Sequence, residues 1–265
     1  MQVIPVINCT TLKCFRGRVK KAAEILNTEI RRLQNQGSTS ADRGRTFRAE
    51  PRVHIDIGRP PFTPQRNAVC VKTLKEYAVR ETKARSSPST ELRAGQTKVQ
   101  PRLLFEAHLM MPWNRRSFLA YLRMPFERVY VHWDEILRSA SRRTQDDSEL
   151  SWAQEQAKRY KKELGMVFEV QPSRIKVEPL PEGIKHVLVL AVKPGKSGQA
   201  FNPKALQTIR FLKKKLPNVT ITVDGGVTPV NAKKIFKAGA NAVTSGSYIW
   251  DSDNPIHAYN ELRNF

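Results

Sequence analysis

Short apolar runs alternate along this chain with longer stretches in which apolar residues recur every three or four positions. The first run, residues 3–7, is β-branched and reads as a strand. From Leu12 to Leu33 the apolar set Phe15, Val19, Ala22, Ala23, Leu26, Ile30 and Leu33 has helical spacing. Residues 34–51 are polar and glycine-bearing and read as a loop. A second strand, 53–57, ends in GRPPFTP, whose prolines preclude regular pairing. A helix over 67–84 and a second polar loop over 85–100 follow.

The alternation continues. Strands are expected at 103–109, 129–133 and 166–170, with a short helix at 115–123 and a helical pattern over 135–164 broken by SRRTQDDSE. Pro172, Pro179 and Pro181 leave little room for a full helix before Val187. The remainder supplies strands six to eight and three helices, the last ending at Phe265. Eight strands that nearly all alternate with helices favour right-handed crossovers and closure into a TIM (β/α)8 barrel. An open doubly wound sheet is the alternative, although no GxGxxG follows the first strand. The expected organisation is one domain over 1–265, with loop insertions near 34–51 and 85–100.

Composition narrows this reading. The 265 residues fit one large domain, and 40% are hydrophobic, enough for a sizeable core. Lys and Arg number 46 against 24 Asp and Glu, a formal charge of +22. Such an excess attracts anions. It fits a nucleic-acid binder or an enzyme for anionic substrates, and no long Lys/Arg block favours the former. Cys9, Cys14 and Cys70 are few, odd in number and not in CxxC spacing, so neither a disulfide framework nor a zinc ribbon is expected. A reduced cytoplasm is the expected location. The N-terminus MQVIPVIN lacks a signal-peptide pattern, and no run is long enough for a membrane span.

The candidate chemistry gathers at the strand ends, which form the active face of a parallel barrel. Val187 to Trp250 carries three apolar runs, each ending in a glycine-bearing turn. Gly195, Ser197, Gly198, Gly225, Gly226, Gly246 and Ser247 are the residue types that let backbone N–H groups approach a phosphate. Asp224 is the carboxylate among them. Strand two adds His54 and Asp56, whose i, i+2 spacing puts both on one strand face. Strand three adds His108 and strand four His132. Two histidines and two carboxylates suit a divalent transition metal: zinc, iron(II), manganese or cobalt. Each residue also has an ordinary use, as a hydrogen-bonded strand-end His or a turn Asp. His132 reads as core or as support for the site, and His186 and His257 as surface positions.

The motifs VHIDIGRPPFTP, EAHLMM, AVKPGKSGQAF, TVDGGVTP and AGANAVTSGS, in that order, resemble the ribulose-phosphate 3-epimerase family of phosphate-binding TIM barrels. The resemblance covers most of the chain outside the two polar loops. It implies that His54, Asp56, His108 and Asp224 hold one divalent metal ion. It implies that Asp56 and Asp224 serve as acid and base in a proton transfer through an enediolate. That activity interconverts D-ribulose 5-phosphate and D-xylulose 5-phosphate. Met110 matches a methionine beside the reacting carbons, and members often assemble into dimers or larger rings.

The chain departs from the family pattern at Val6, where a serine is usual, and at Arg59, Lys193, Lys196 and Ser197. Several of these changes add positive charge around the expected anion site. The alternatives are an epimerase for another ketose phosphate, a barrel without epimerase activity that binds RNA through its basic surface, and another phosphate barrel that lacks the two-His, two-Asp set.

Overall fold

The computed structural model describes residues 2–9, 12–35, 51–59, 103–140, 148–170 and 182–264. Its strands are β1 (Gln2–Ile7), β2 (Arg52–Gly58), β3 (Leu104–Met110), β4 (Arg128–His132), β5 (Glu163–Glu169), β6 (His186–Leu190), β7 (Thr220–Asp224) and β8 (Ala242–Ser245). They close into a barrel in sequential order, and every neighbouring pair is parallel. The described helices are α1 (Leu12–Asn35), α2 (Arg115–Leu122), α3 (Trp133–Ala140), α4 (Ser148–Arg159), α5 (Ala205–Lys215), α6 (Pro229–Lys237), α7 (Ser247–Trp250) and α8 (Pro255–Arg263). This is the TIM barrel that the alternation predicts.

Strand parity sorts the residues. Outward positions such as Val53, Ile55 and Ile57 on β2, Val129 and Val131 on β4, and Ile221 and Val223 on β7 join the helices in one continuous apolar layer. Burying each such side chain stabilises the fold by roughly 1.5–3 kcal/mol. Inward positions are mostly polar: His54, Glu106, His108, Arg128, His132 and Asp224 are all buried. Tyr130, Val167, Leu188 and Leu190 form a small apolar cluster inside the barrel. Gly165 makes room for Tyr130, because a Cβ there would overlap the tyrosine ring.

The seam joins the two ends of the described chain. Gln2 to Pro5 pair in register with Ala242 to Ser245. The indole of Trp250 donates to the Val6 carbonyl, and the Tyr259 hydroxyl donates to the Val3 carbonyl at 3.4 Å.

Several expectations need correction. Cys9 and Cys14 form a disulfide, with Cα atoms 5.9 Å apart. Cys9 just past β1 and Cys14 in the first turn of α1 stand within the usual span of such a bond, so pairing does not need CxxC spacing. Strand β5 begins at Glu163, not Met166, because its first residues pair with β4. Past Val187 the described residues hold four helices rather than three, the extra one being the single turn α7. His186 is a half-buried inward residue of β6, not a surface one. The helix over 67–84, the loop over 85–100 and all of the loop over 34–51 except its edges lie outside the described residues. No described helix is long and apolar enough to cross a membrane.

Candidate active site

Strand ends β2, β3 and β7 bring His54, Asp56, His108 and Asp224 together, and one ligand atom from each lies within 4.8 Å of all the others. His108 Nδ1 is 3.2 Å from Asp56 Oδ1 and 4.0 Å from Asp224 Oδ2. His54 Nε2 is 3.4 Å from Asp56 Oδ1 and is buried without a hydrogen-bond partner. A buried nitrogen left unsatisfied is costly, and here it faces two carboxylates. Such a group of nitrogen and oxygen donors fits a divalent cation.

The electrostatics agree. Burial pushes His54 down, but the adjoining Asp56 and Glu106 carboxylates outweigh it and raise the group to about 10. Burial pushes Asp56 up, and the two histidines outweigh that and hold it well below the usual carboxylate range. Asp224 shifts the other way, raised by burial and then by the charge of Asp56. The pocket is rich in electron pairs and draws positive charge.

A second layer holds these groups. His54 Nδ1 is 2.8 Å from Glu106 Oε1. Arg128 Nη1 donates to Glu106 Oε2 at 3.2 Å, and its Nε donates to Glu163 Oε2 at 2.9 Å. Burial raises the Glu106 carboxyl, but His54 and Arg128 bring it below its ordinary value. Tyr130, buried beside Glu106, is pushed up to about 12. Thr244 Oγ1 donates to Asp224 Oδ1 at 2.5 Å. His108 Nε2 is 2.9 Å from His132 Nε2, and His132 Nδ1 is 2.7 Å from Glu169 Oε1. Carboxylates that hold the far nitrogen of a ligating histidine orient the ring and raise its basicity.

The cluster opens into a cavity of about 330 Å³. Asp56, Asp224 and Met110 line it. All the glycines and serines of the expected phosphate cradle line it as well: Gly195, Ser197, Gly198, Gly225, Gly226, Gly246 and Ser247. Gly225 and Gly226 have φ of 103° and 66°, values that favour glycine. Asn231 pins this turn: its Oδ1 accepts from Thr228 N at 3.0 Å and its Nδ2 donates to Gly226 O at 2.8 Å. Gln199 Nε2 donates to the carbonyls of Lys193 and Lys196, each at 2.6 Å, and so gathers that loop.

Of the residues that depart from the family pattern, Val6, Lys193, Lys196 and Ser197 line the cavity. Arg59 does not turn toward the His/Asp cluster; its Nη2 reaches Tyr121 Oη at 3.5 Å. His132 is buried beside His108, as core or as support. Sequence reasoning missed Glu106, Thr244 and Glu169. Glu106 carries a readable signal, since it lies two residues before His108 and therefore on the same strand face. Nothing local in the sequence pairs Glu169 with His132.

The Ribulose-phosphate 3 epimerase family matches residues 94–250. The ribulose-phosphate 3-epimerase of Schizosaccharomyces pombe is 37% identical over 86 residues, 32% of this chain and 38% of that protein. The chloroplastic ribulose-5-phosphate-3-epimerase of Arabidopsis thaliana is 28% identical over 165 residues, 61% of this chain and 56% of that protein. The matched stretches thus span 38% to 56% of these relatives' own lengths. Among solved structures, the 3-hexulose-6-phosphate synthase of Salmonella typhimurium aligns with TM-score 0.58 at 15% identity, covering 99% of this chain and 96% of that one. The orotidine 5'-phosphate decarboxylase of Pyrococcus horikoshii aligns with TM-score 0.56 at 13% identity over the whole of both chains. These two likenesses carry the fold. The family match covers more than half of the chain and includes the His108 and Asp224 motifs: the chain belongs to the ribulose-phosphate 3-epimerase family.

Proposed function

We propose that the protein is a metal-dependent epimerase that interconverts D-ribulose 5-phosphate and D-xylulose 5-phosphate. The observation that carries this reading is the meeting of His54, Asp56, His108 and Asp224 in one cluster, whose two aspartates line the same cavity as the glycine cradle. The N–H groups of Gly225, Gly226, Gly246 and Ser247 bind the phosphate, aided by the loop of Gly195, Ser197 and Gly198. That fixes how far the sugar chain reaches toward the carboxylates. Met110 packs against the carbon chain and keeps water from its reacting face.

Asp56 and Asp224 are the acid and base. One carboxylate takes the proton from C3, and the carbonyl beside it gathers the electron pair. The other delivers a proton to the opposite face of C3, and the carbonyl re-forms with the configuration inverted. His54, Asp56, His108 and Asp224 would hold the divalent ion, which would supply positive charge to offset the negative charge that develops as the proton leaves. In the reverse direction the two aspartates exchange roles.

Purified protein supplied with Mn²⁺, Fe²⁺ or Zn²⁺ is expected to exchange the C3 proton of ribulose 5-phosphate with solvent deuterium. Asp56→Asn and Asp224→Asn are each expected to slow that exchange by about 10²–10⁴-fold. Absence of exchange in folded protein under every metal removes the reading. Lys193 and Lys196 on the cavity wall favour a second reading, an epimerase for another ketose phosphate such as allulose 6-phosphate. The ratio of kcat/KM for the two sugars decides between them.

A further inference from the structure

The part of the barrel that follows β5 is charged with one sign. Residues 183–250 carry eleven Lys and Arg and a single acid, Asp224, whereas the whole chain has 46 Lys and Arg to 24 Asp and Glu. Asp224 faces the cavity, so the outer surface of this segment presents no carboxylate. The next acids along the chain, Glu182 and Asp251, stand at its two ends. On α5, Arg210, Lys214 and Lys215 are exposed; on α6, so are Lys233, Lys234 and Lys237. The sequence holds no long Lys/Arg block, but the fold assembles one from two helices.

The two rows of cations form one surface. The stem of Lys213 packs against the turn that ends α6, where a Cβ on Gly239 would stand 3.0 Å from Lys213 Cγ. Its Nζ donates to the Pro217 carbonyl at 2.8 Å. Thr220 N donates to the Lys185 carbonyl at 2.9 Å, which sets the exposed Lys185 at the same end of the barrel, away from the cavity. Lysines in a last helical turn offset the helix dipole, but that dipole amounts to only about half a charge. Three lysines close α5 and two close α6. Arg210 and Lys233 stand mid-helix, beyond the dipole's reach. Helix capping therefore leaves most of this charge without a use inside the fold.

Rows of exposed cations free of carboxylates fit a polyanion. A membrane surface also needs apolar residues on the same face, to sink among the lipids. Here α5 and α6 turn theirs inward: Ile209, Leu212 and Ile235 are wholly buried. A protein partner needs an aromatic or apolar anchor at the centre of the contact, and Phe211 and Phe236 are packed against the core instead. A phosphodiester backbone needs only cations spaced along it, and α5 alone offers a track about 16 Å long. We propose that the α5–α6 wall binds a nucleic-acid strand by its phosphates, without reading its bases. This function is separate from the cavity and does not depend on the metal reading.

Fluorescence anisotropy with short labelled RNA and DNA strands of one mixed sequence tests this on the whole protein. At least one of the two is expected to bind, with affinity falling steeply between about 50 and 200 mM salt; the tighter one identifies the source of the phosphates. Arg210→Ala, Lys214→Ala and Lys237→Ala together are expected to weaken binding at least about tenfold and to lower the salt slope by about one per cation removed. Lys13→Ala, Arg16→Ala and Lys20→Ala, which remove the same charge from α1, are expected to change it far less. Equal losses in the two variants overturn the proposal, because net charge alone then explains the binding. So does wild-type protein that binds neither strand at physiological salt. Polyglutamate or phosphatidylserine vesicles that bind as tightly through the same cations overturn the choice of nucleic acid. Lysine acetylation read by mass spectrometry needs no variant. A bound strand is expected to protect Lys214, Lys233, Lys234 and Lys237 and to leave Lys13 and Lys20 reactive, and the reverse pattern overturns the proposal.

Discussion

Gly226 shows how one residue holds both a turn and a wall of the cavity. Its φ is 66°, and a Cβ would overlap the backbone at Phe201, which cannot give way as a side chain can. Gly226→Ala is expected to cost at least about 1–2 kcal/mol from the left-handed backbone alone, and more from the overlap. Chemical denaturation reads that loss, and a raised KM for the sugar phosphate reads the displaced cradle. At this scale the sequence is informative where function needs a residue type in an inward strand position. His54, Asp56, His108 and Asp224 are legible because strand parity and strand end together point them into the barrel. Glu106 is only half legible, since its parity can be read from His108 but its partner lies on another strand. Glu169 and His132 meet through the β4–β5 register, which no local pattern states.

Elements depend on partners that their own sequence does not name, and the start of β5 is one example. Burial raises the Glu163 carboxyl, but His186 and Arg128 outweigh it and bring it down to about 2 from an ordinary 4.5. A carboxyl lowered on folding contributes stability that is present above about pH 4.5 and is lost as pH falls toward 2. Glu163→Gln is therefore expected to lower stability above about pH 4.5 and to leave it little changed near pH 2, which flattens the acid limb between them. The effect is small, under about 1 kcal/mol, because the side chain is 45% exposed and screened by water. Acid titration of the unfolding midpoint measures it.

A covalent tie that the cysteine spacing did not suggest, Cys9–Cys14, links the end of β1 to the start of α1. Closing so short a loop restricts the unfolded chain by roughly 2 kcal/mol. Cys14→Ser is expected to lower stability by up to that amount without reductant and to match wild type once reductant is added.

The whole molecule was the most legible scale. Alternating strand and helix periods reach the count of eight, and eight parallel strands have few ways to hide their edges other than closure. What the alternation does not say is how the ring is fastened, because the contacts that close it join residues 244 and 256 positions apart. β1 leaves the ribosome long before β8, Trp250 or Tyr259 exists. Until then one edge of β1 presents unpaired backbone groups, the kind of surface on which a chain can pair with a neighbour instead of with itself. Distant pairing of this sort is also slow to form. Any sheet that forms before β8 is made is therefore an open one, with β1 at its edge until Ala242–Ser245 arrive to pair with it.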